Sequence, residues 1–179
     1  KQSLADRMRN RLATSTALNF VDQALAAVAH AHHCKIIHCD IKPDNFVIFP
    51  NNHLKLGDFA FSKIVQRTLK PASGSGTVGY MAPEQAVGRP MFQSDVFSLG
   101  LVAYELFSGY LHDWPFDWPP AGIERVKKRL SPALVDWMSK AIQVNPVNRY
   151  SDAIAMHREF CRARRSNGKK RRTRAASSV

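Results

Sequence analysis

The segment Asp95–Phe107 constrains the fold of this chain more than any other, because its residues are apolar all round a helix. A helix of this kind is buried in a protein core or crosses a membrane. The longest apolar stretch, Val96–Leu106, is too short to cross a bilayer and is interrupted by Ser98, Gly100 and Glu105. Gly109 lies just past the segment, where glycine often ends a helix. The segment therefore predicts a buried helix in a soluble chain that has no membrane span.

The remaining sequence combines helical patterns with a few short apolar runs. Helical spacing or composition predicts helices at 16–33, 121–130, 132–143 and 151–164. Apolar runs predict strands at 35–38, 46–49 and 54–56, and Pro50-Asn51-Asn52 predicts a hairpin turn between the last two. Residues 57–90 are rich in Gly, Ser, Thr and Pro, and so long an irregular stretch in a compact domain is usually functional. The fold class expected is mainly α with a small β cluster (α+β).

The net charge of +12 is concentrated at the C-terminus. Residues 161–179 contain eight Lys and Arg and no acid, whereas the rest of the chain carries 18 bases against 14 acids. Runs of this type are usually solvated extensions, so residues 166–179 are predicted to form a basic, disordered tail, and no specific binding of nucleic acid is expected.

The cysteines indicate a reducing compartment, and a cytoplasmic location is expected. Cys34, Cys39 and Cys161 are too few and too odd in number for a disulfide framework, and no Cys-x-x-Cys pair suggests zinc. The first residues, 1–11, are charged and polar and do not resemble a secretory signal.

The segment His38–Asn45 contains the residue types that phosphate chemistry requires. The Asp40 carboxylate can accept a proton from a nucleophilic hydroxyl, and the Lys42 ammonium can neutralise phosphate charge. The Asn45 amide oxygen can ligate a hard cation, and Asp58, 13 residues later and after the hairpin, supplies a second acid suited to Mg²⁺. Either stretch alone is also compatible with a solvated turn.

Taken together in this order, these motifs resemble the C-terminal lobe of a eukaryotic-type (Hanks-type) serine/threonine protein kinase. The resemblance covers about residues 1–165, which would form a partial kinase domain. The matching motifs are His38-Cys39-Asp40, Asn45, Asp58-Phe59-Ala60, Gly76–Glu84, Ser94–Gly100 and Asn145–Arg149. Lys42 and Thr77 resemble the serine/threonine branch rather than the tyrosine branch.

The resemblance implies an enzyme that transfers the γ-phosphate of ATP to Ser or Thr hydroxyls of protein substrates, with Mg²⁺ as cofactor. Asp40 would be the catalytic base, and Lys42 would contact the γ-phosphate. Asn45 and Asp58 would hold Mg²⁺ and so bind the nucleotide. Thr77 would position the base and the lysine and shape the pocket that follows the acceptor residue.

The resemblance also implies structural roles for three further residues. Glu84 and Arg149 would form a buried ion pair, and Asp95 would anchor the catalytic loop through backbone amides. His30, His32 and His33 are interpreted as residues that favour the C-terminal end of a helix rather than as metal ligands.

Three features depart from the family pattern. Cys39 replaces an arginine that, in many members, binds a phosphorylated activation loop, and Ala60 replaces a glycine. No glycine-rich loop or strand lysine precedes Asp40, so the N-terminal lobe is expected to be absent from this chain and to be its missing partner. The fragment alone would then be weakly active or inactive.

Two other functions remain open. The first is a non-catalytic module, either a pseudokinase or a truncated lobe that binds partners. The second is a small-molecule phosphotransferase of related fold, which the complete Gly76–Glu84 segment disfavours because protein kinases use it for peptide acceptors.

Overall fold

A computed structural model describes residues 2–64 and 78–176 of the chain. The helices are α1 (Leu4–Met8), α2 (Thr14–His33), α3 (Pro83–Ala86), α4 (Phe92–Ser108), α5 (Ile123–Arg129), α6 (Pro132–Ala141) and α7 (Ala153–Ala176). The strands are β1 (Gln2–Ser3), β2 (Ile36–Ile37), β3 (Phe46–Phe49), β4 (His53–Leu56) and β5 (Lys63–Ile64). The architecture is mainly helical with two small sheets, as the sequence predicts.

Helix α4 lies at the centre of the core. It contacts α2, α3, α5, α6 and α7, and most of its residues are buried, as the apolar composition of 95–107 predicts. Its N-terminus begins three residues earlier than that segment, at Phe92. Gly109 ends the helix with φ of 76°, a left-handed conformation that glycine adopts without a Cβ penalty.

Helix α2 supports the β-hairpin that connects Asn45 to Gly57 and Asp58. The side chain of Gln23 accepts the backbone N–H of Leu54 at 2.8 Å and donates to the carbonyl of Asn52 at 2.9 Å. One glutamine thus satisfies backbone groups at the end of the turn and in β4. The predicted hairpin is confirmed, with β3 and β4 antiparallel and Phe46 opposite Leu56.

The strands form two separate sheets. The first has the order β1-β3-β4, and the second pairs β2 with β5 in antiparallel fashion, Ile36 opposite Ile64. Strands β1 and β5 are two residues each. Such short strands lack the alternating pattern that would have predicted them.

The structure contains two short helices that were not predicted and shifts several helix ends. Helix α1 was not predicted, although Ser3 and Asp6 form a capping box at its start. Short α3 was not predicted either. Helix α7 continues to Ala176, past the expected end at 164, and Arg, Lys and Ala are residues of high helix propensity. The division of the chain into a domain at 1–165 and a disordered tail at 166–179 stays a prediction.

Within the described residues, no helix has the length and apolar character needed to cross a membrane.

Candidate active site

Asp95 anchors the loop that follows β2. From the first turn of α4, its Oδ2 accepts the backbone N–H of His38 at 2.7 Å, and its Oδ1 accepts that of Cys39 at 3.0 Å. The carboxylate is 1% exposed, so these bonds replace the water that burial removes. The expected anchoring role of Asp95 is confirmed.

His32 adds a third donor to Asp95. The backbone N–H of Ala153 donates to His32 Nδ1 at 3.0 Å, so this nitrogen carries no proton and the proton lies on Nε2. Nε2 then donates to Asp95 Oδ2 at 2.9 Å. His32 is therefore buried and neutral, and its two ring nitrogens link α2 to α4 and to the start of α7. Its position at a helix end does not reveal this role.

His38 ties the same loop to the end of the hairpin. Its Nδ1 accepts the backbone N–H of Asp40 at 3.3 Å, so the proton lies on Nε2, which donates to the carbonyl of Gly57 at 3.0 Å. The ring also packs against Phe59, with centroids 4.7 Å apart. His38 thereby fixes the distance between the Asp40 loop and the Asp58 turn.

Asp40, Lys42 and Asn45 lie in direct contact. Lys42 Nζ is 3.0 Å from Asp40 Oδ2, and Asn45 Nδ2 donates to the same oxygen at 2.9 Å. Asn45 Nδ2 also donates to the Asp40 carbonyl at 2.7 Å. Asp40 is buried, 5% exposed, so its carboxylate is held in one orientation beside a cation. This arrangement can orient a hydroxyl and attract a phosphate at the same point.

Asp58 is brought to this cluster by the hairpin. Asn45 immediately precedes β3 and Gly57 immediately follows β4, and the Gly57 N–H donates to the Asn45 carbonyl at 2.8 Å. Asp58 has φ of 55° and an exposed side chain. Asn45 donates to Asp40 through Nδ2, and the same side chain carries an amide oxygen, Oδ1, that can act as an acceptor. An amide oxygen and a carboxylate on adjacent backbone are a donor set that Mg²⁺ accepts.

The segment 78–86 packs against the other side of the loop. Gln85 Nε2 donates to the carbonyl of Cys39, and Ser98 Oγ donates to the carbonyl of Tyr80 at 2.6 Å. Tyr80 Oη donates to Glu105, and burial is the main cause that raises the pKa of both side chains. Nearby Asp44 raises both pKa values further.

Glu84 and Arg149 form the expected buried ion pair. Nη1 donates to Oε1 at 2.7 Å and Nη2 to Oε2 at 3.0 Å, and the Arg149 side chain is 0% exposed. Arg149 also donates to the carbonyls of Gln143, Gln93 and Val144, so all five of its N–H groups are used. The pair holds α3 against α4 and the turn before α7.

A second cluster of ligand types lies between α2 and α7, where Asp22, His157 and Cys161 have side-chain atoms within 4.8 Å of one another. The Asp22 oxygens pair with His157 Nε2 at 2.7 Å and with Arg164 Nη1 at 2.8 Å. These contacts account for the grouping of Asp22 with His157.

Of the five predicted site residues, the structure brings together Asp40, Lys42 and Asn45 and places Asp58 beside them. Thr77 lies outside the described residues. His32 and Gln85 were missed by the sequence reasoning, because each acts through a contact distant in the chain. The signal for Gln85 was its place next to the Gly76–Glu84 motif.

The fold and this cluster define a protein in which a carboxylate, an ammonium and potential metal ligands converge on one loop, as phosphoryl transfer requires. The family model of the protein kinase domain matches residues 1–161, and the chain belongs to that family. The family resemblance stated from the sequence is confirmed.

Curated relatives carry serine/threonine kinase names. The chain is 33% identical to the serine/threonine-protein kinase PrkC of Bacillus subtilis over 160 residues, 80% of this chain and 24% of that protein. It is 32% identical to PknB of Mycolicibacterium smegmatis over 169 residues, 84% of this chain and 27% of that protein. With PknA of Mycobacterium tuberculosis it shares 40% over 102 residues, 55% of this chain and 24% of that protein. The chain thus spans about a quarter of these relatives.

Proposed function

We propose that this chain is the C-terminal lobe of a serine/threonine protein kinase, which transfers the γ-phosphoryl group of ATP to Ser or Thr hydroxyls of protein substrates. The observation that carries the proposal is the contact of Asp40 with Lys42 and Asn45 on a loop anchored by Asp95. The names of the curated relatives support the choice of Ser/Thr acceptors.

In this mechanism Asp40 accepts the proton of the substrate hydroxyl as its oxygen forms a bond to the γ-phosphorus. The bond from that phosphorus to the β–γ bridging oxygen breaks, and ADP leaves with the electron pair. Lys42, 3.0 Å from Asp40, neutralises charge on the transferred group. Asn45 and Asp58 would hold Mg²⁺, which neutralises charge on the phosphate oxygens.

A second lobe would complete the nucleotide site. Phe59 and Phe61 flank the Asp58 turn and are 46% and 43% exposed. Two large, exposed apolar side chains next to a proposed metal ligand are typical of a surface that another part of the protein covers. We propose that an N-terminal kinase lobe covers them and supplies the rest of the ATP contacts, so that the 179 residues alone bind ATP weakly. A cytoplasmic location is proposed from the three free cysteines.

The test is Asp40→Asn in the full-length protein that contains this chain. Removal of the base is expected to lower kcat by about 10²–10⁴ with little change in ATP affinity. Asp58→Asn should instead abolish Mg²⁺-dependent nucleotide binding, measured by calorimetry with and without Mg²⁺.

Asp136→Asn is the matched control, because Asp136 is an exposed acid on α6. This variant should retain wild-type turnover. Wild-type turnover in Asp40→Asn would reject the assignment of the base. A full-length protein without transfer to any peptide, in which Asp40→Asn changes nothing, would support the alternative of a non-catalytic interaction module.

A further inference from the structure

A groove of about 600 Å³ lies between the turn at 8–12, the end of α4 and α5. Among the described residues that line it, five are cationic (Arg9, Arg11, Arg125, Lys128 and Arg129) and one, Glu105, is acidic. We call this surface the basic groove. Its volume lies in the range of pockets that take a ligand or a few side chains.

Two of the five cations, Arg129 and Arg125, form hydrogen bonds with backbone carbonyls of the fold. Arg129 donates to the carbonyls of Leu12, Leu106 and Phe107, and so ties α5 to the end of α4 and to the turn after α1. Burial, and then the charge of Arg11, lower the pKa of Arg129. Arg125 donates to the Ser108 carbonyl at 3.2 Å. Arg129 is thereby held in place, whereas Arg125 is exposed and bonds to the end of α4.

The remaining cations are exposed at the rim. Among described residues, Arg11 and Lys128 have no carboxylate within ion-pairing distance, and Arg9 is 81% exposed in a 3.5 Å contact with Asp6. Glu105 is the one acid among the described residues that line the groove, so it can compensate at most one of the five cationic charges. The basic groove therefore carries uncompensated positive charge and presents flexible donors to an anion.

The groove adjoins the candidate active site through Tyr80. Glu105 lines the groove and accepts the Tyr80 hydroxyl, while Tyr80 and Asp40 line one small cavity on the other side. Helix α1, which leads into the groove, also contacts the turn at 43–45. The groove and the Asp40 cavity therefore share the Tyr80–Glu105 contact as a common boundary.

We infer that the basic groove is a specificity site for protein substrates, which binds acidic or phosphorylated residues flanking the acceptor hydroxyl. This inference rests on the proposed function. A nucleic acid suits the groove less well, because its lining aromatic ring, Phe107, is covered by the Arg129 guanidinium at 5.2 Å and offers no face for base stacking.

The test measures binding by fluorescence anisotropy to the full-length protein, without ATP. Three labelled peptides of equal length carry a central Ser flanked by Glu, by phosphoserine or by Gln. We expect the Glu or the phosphoserine peptide to bind at least tenfold more tightly than the Gln peptide. The double variant Arg11→Glu/Lys128→Glu should reduce this preference to within twofold.

The matched control is Lys55→Glu/Lys127→Glu, which makes the same change of charge at exposed positions outside the groove. Its preference should stay within threefold of wild type, and thermal unfolding should show that both double variants are folded. Equal losses in the two variants, or equal binding of the anionic and Gln peptides, would overturn the proposal. Tighter, groove-dependent binding of a single-stranded RNA of equal charge would also overturn it.

The outcome is separable from that of the proposed function. If the groove proposal fails alone, the full-length enzyme phosphorylates the Glu and Gln peptides with equal KM. If the proposed function fails alone, the charge-dependent binding appears but no peptide is phosphorylated. If both hold, Arg11→Glu/Lys128→Glu raises KM for the Glu peptide at least tenfold and leaves kcat and the KM of the Gln peptide within twofold.

Discussion

Replacement of Arg149 by lysine tests whether the buried pair depends on hydrogen-bond geometry as well as on charge. Lysine keeps the positive charge but has three N–H donors, whereas Arg149 uses five, two of them on Glu84. At least two buried acceptors therefore lose their donor. Because each orphaned acceptor costs about 1–3 kcal/mol, Arg149→Lys should lower the free energy of unfolding by about 2–6 kcal/mol. For a chain of this size, Tm should fall by at least about 4 °C.

The control is Arg162→Lys, because Arg162 is 67% exposed and pairs with Glu159 on the same helix. Exposed pairs contribute about 0.2–1 kcal/mol, so this change should be near neutral. Unfolding in urea, followed by circular dichroism, gives both values. Glu84→Gln completes a double-mutant cycle, in which we expect non-additivity above about 0.5 kcal/mol because the two residues touch. A loss below about 1 kcal/mol in Arg149→Lys would refute the argument from donor number.

Three further changes have defined outcomes. Asp95→Asn leaves one side-chain oxygen for the two loop N–H groups. The free energy of unfolding, measured by urea titration, should therefore fall by about 1.5–3 kcal/mol. Glu105 has a raised pKa, so its native state binds protons more tightly than the unfolded state and stability falls as pH rises above the ordinary carboxyl value. Glu105→Gln should flatten that fall in melts between pH 4 and 7. Gly100→Ala places a Cβ 2.9 Å from Ala141 Cβ, and this overpacking of about 1–3 kcal/mol should exceed the helix gain of about 1 kcal/mol in thermal unfolding.

The elements predicted from the sequence are those whose cause is local. Helix α2 was found because its apolar residues recur at helical spacing, and the hairpin was found because a Pro-Asn-Asn turn separates two apolar runs. Asn45 and Asp58 could be placed together for the same reason, since the hairpin returns the chain to its starting edge. Local pattern therefore accounts for the longer helices, for the hairpin and for the nearness of Asn45 to Asp58.

The contacts that were missed depend on residues far apart in the chain. His32 and Ala153 are 121 positions apart, and Gln85 and Cys39 are 46 apart. A single histidine or glutamine at a helix end has many possible partners, and only the packing of α2, α4 and α7 selects among them. Helix α1 was missed for another reason, because five residues are too few to show a helical period.

Cys39 stands where the family pattern has arginine, and its backbone takes part in the hydrogen bonds that position Asp40. Its backbone N–H donates to Asp95, its carbonyl accepts from Gln85, and its φ is 66°. A left-handed conformation costs a non-glycine residue about 1–2 kcal/mol, which these two buried hydrogen bonds offset. The position of Asp40 is thus set in part by hydrogen bonds of the residue 39 backbone, which do not involve the side chain at this position. The cysteine that stands in place of the arginine of the family pattern therefore leaves the backbone bonds that position the proposed base intact.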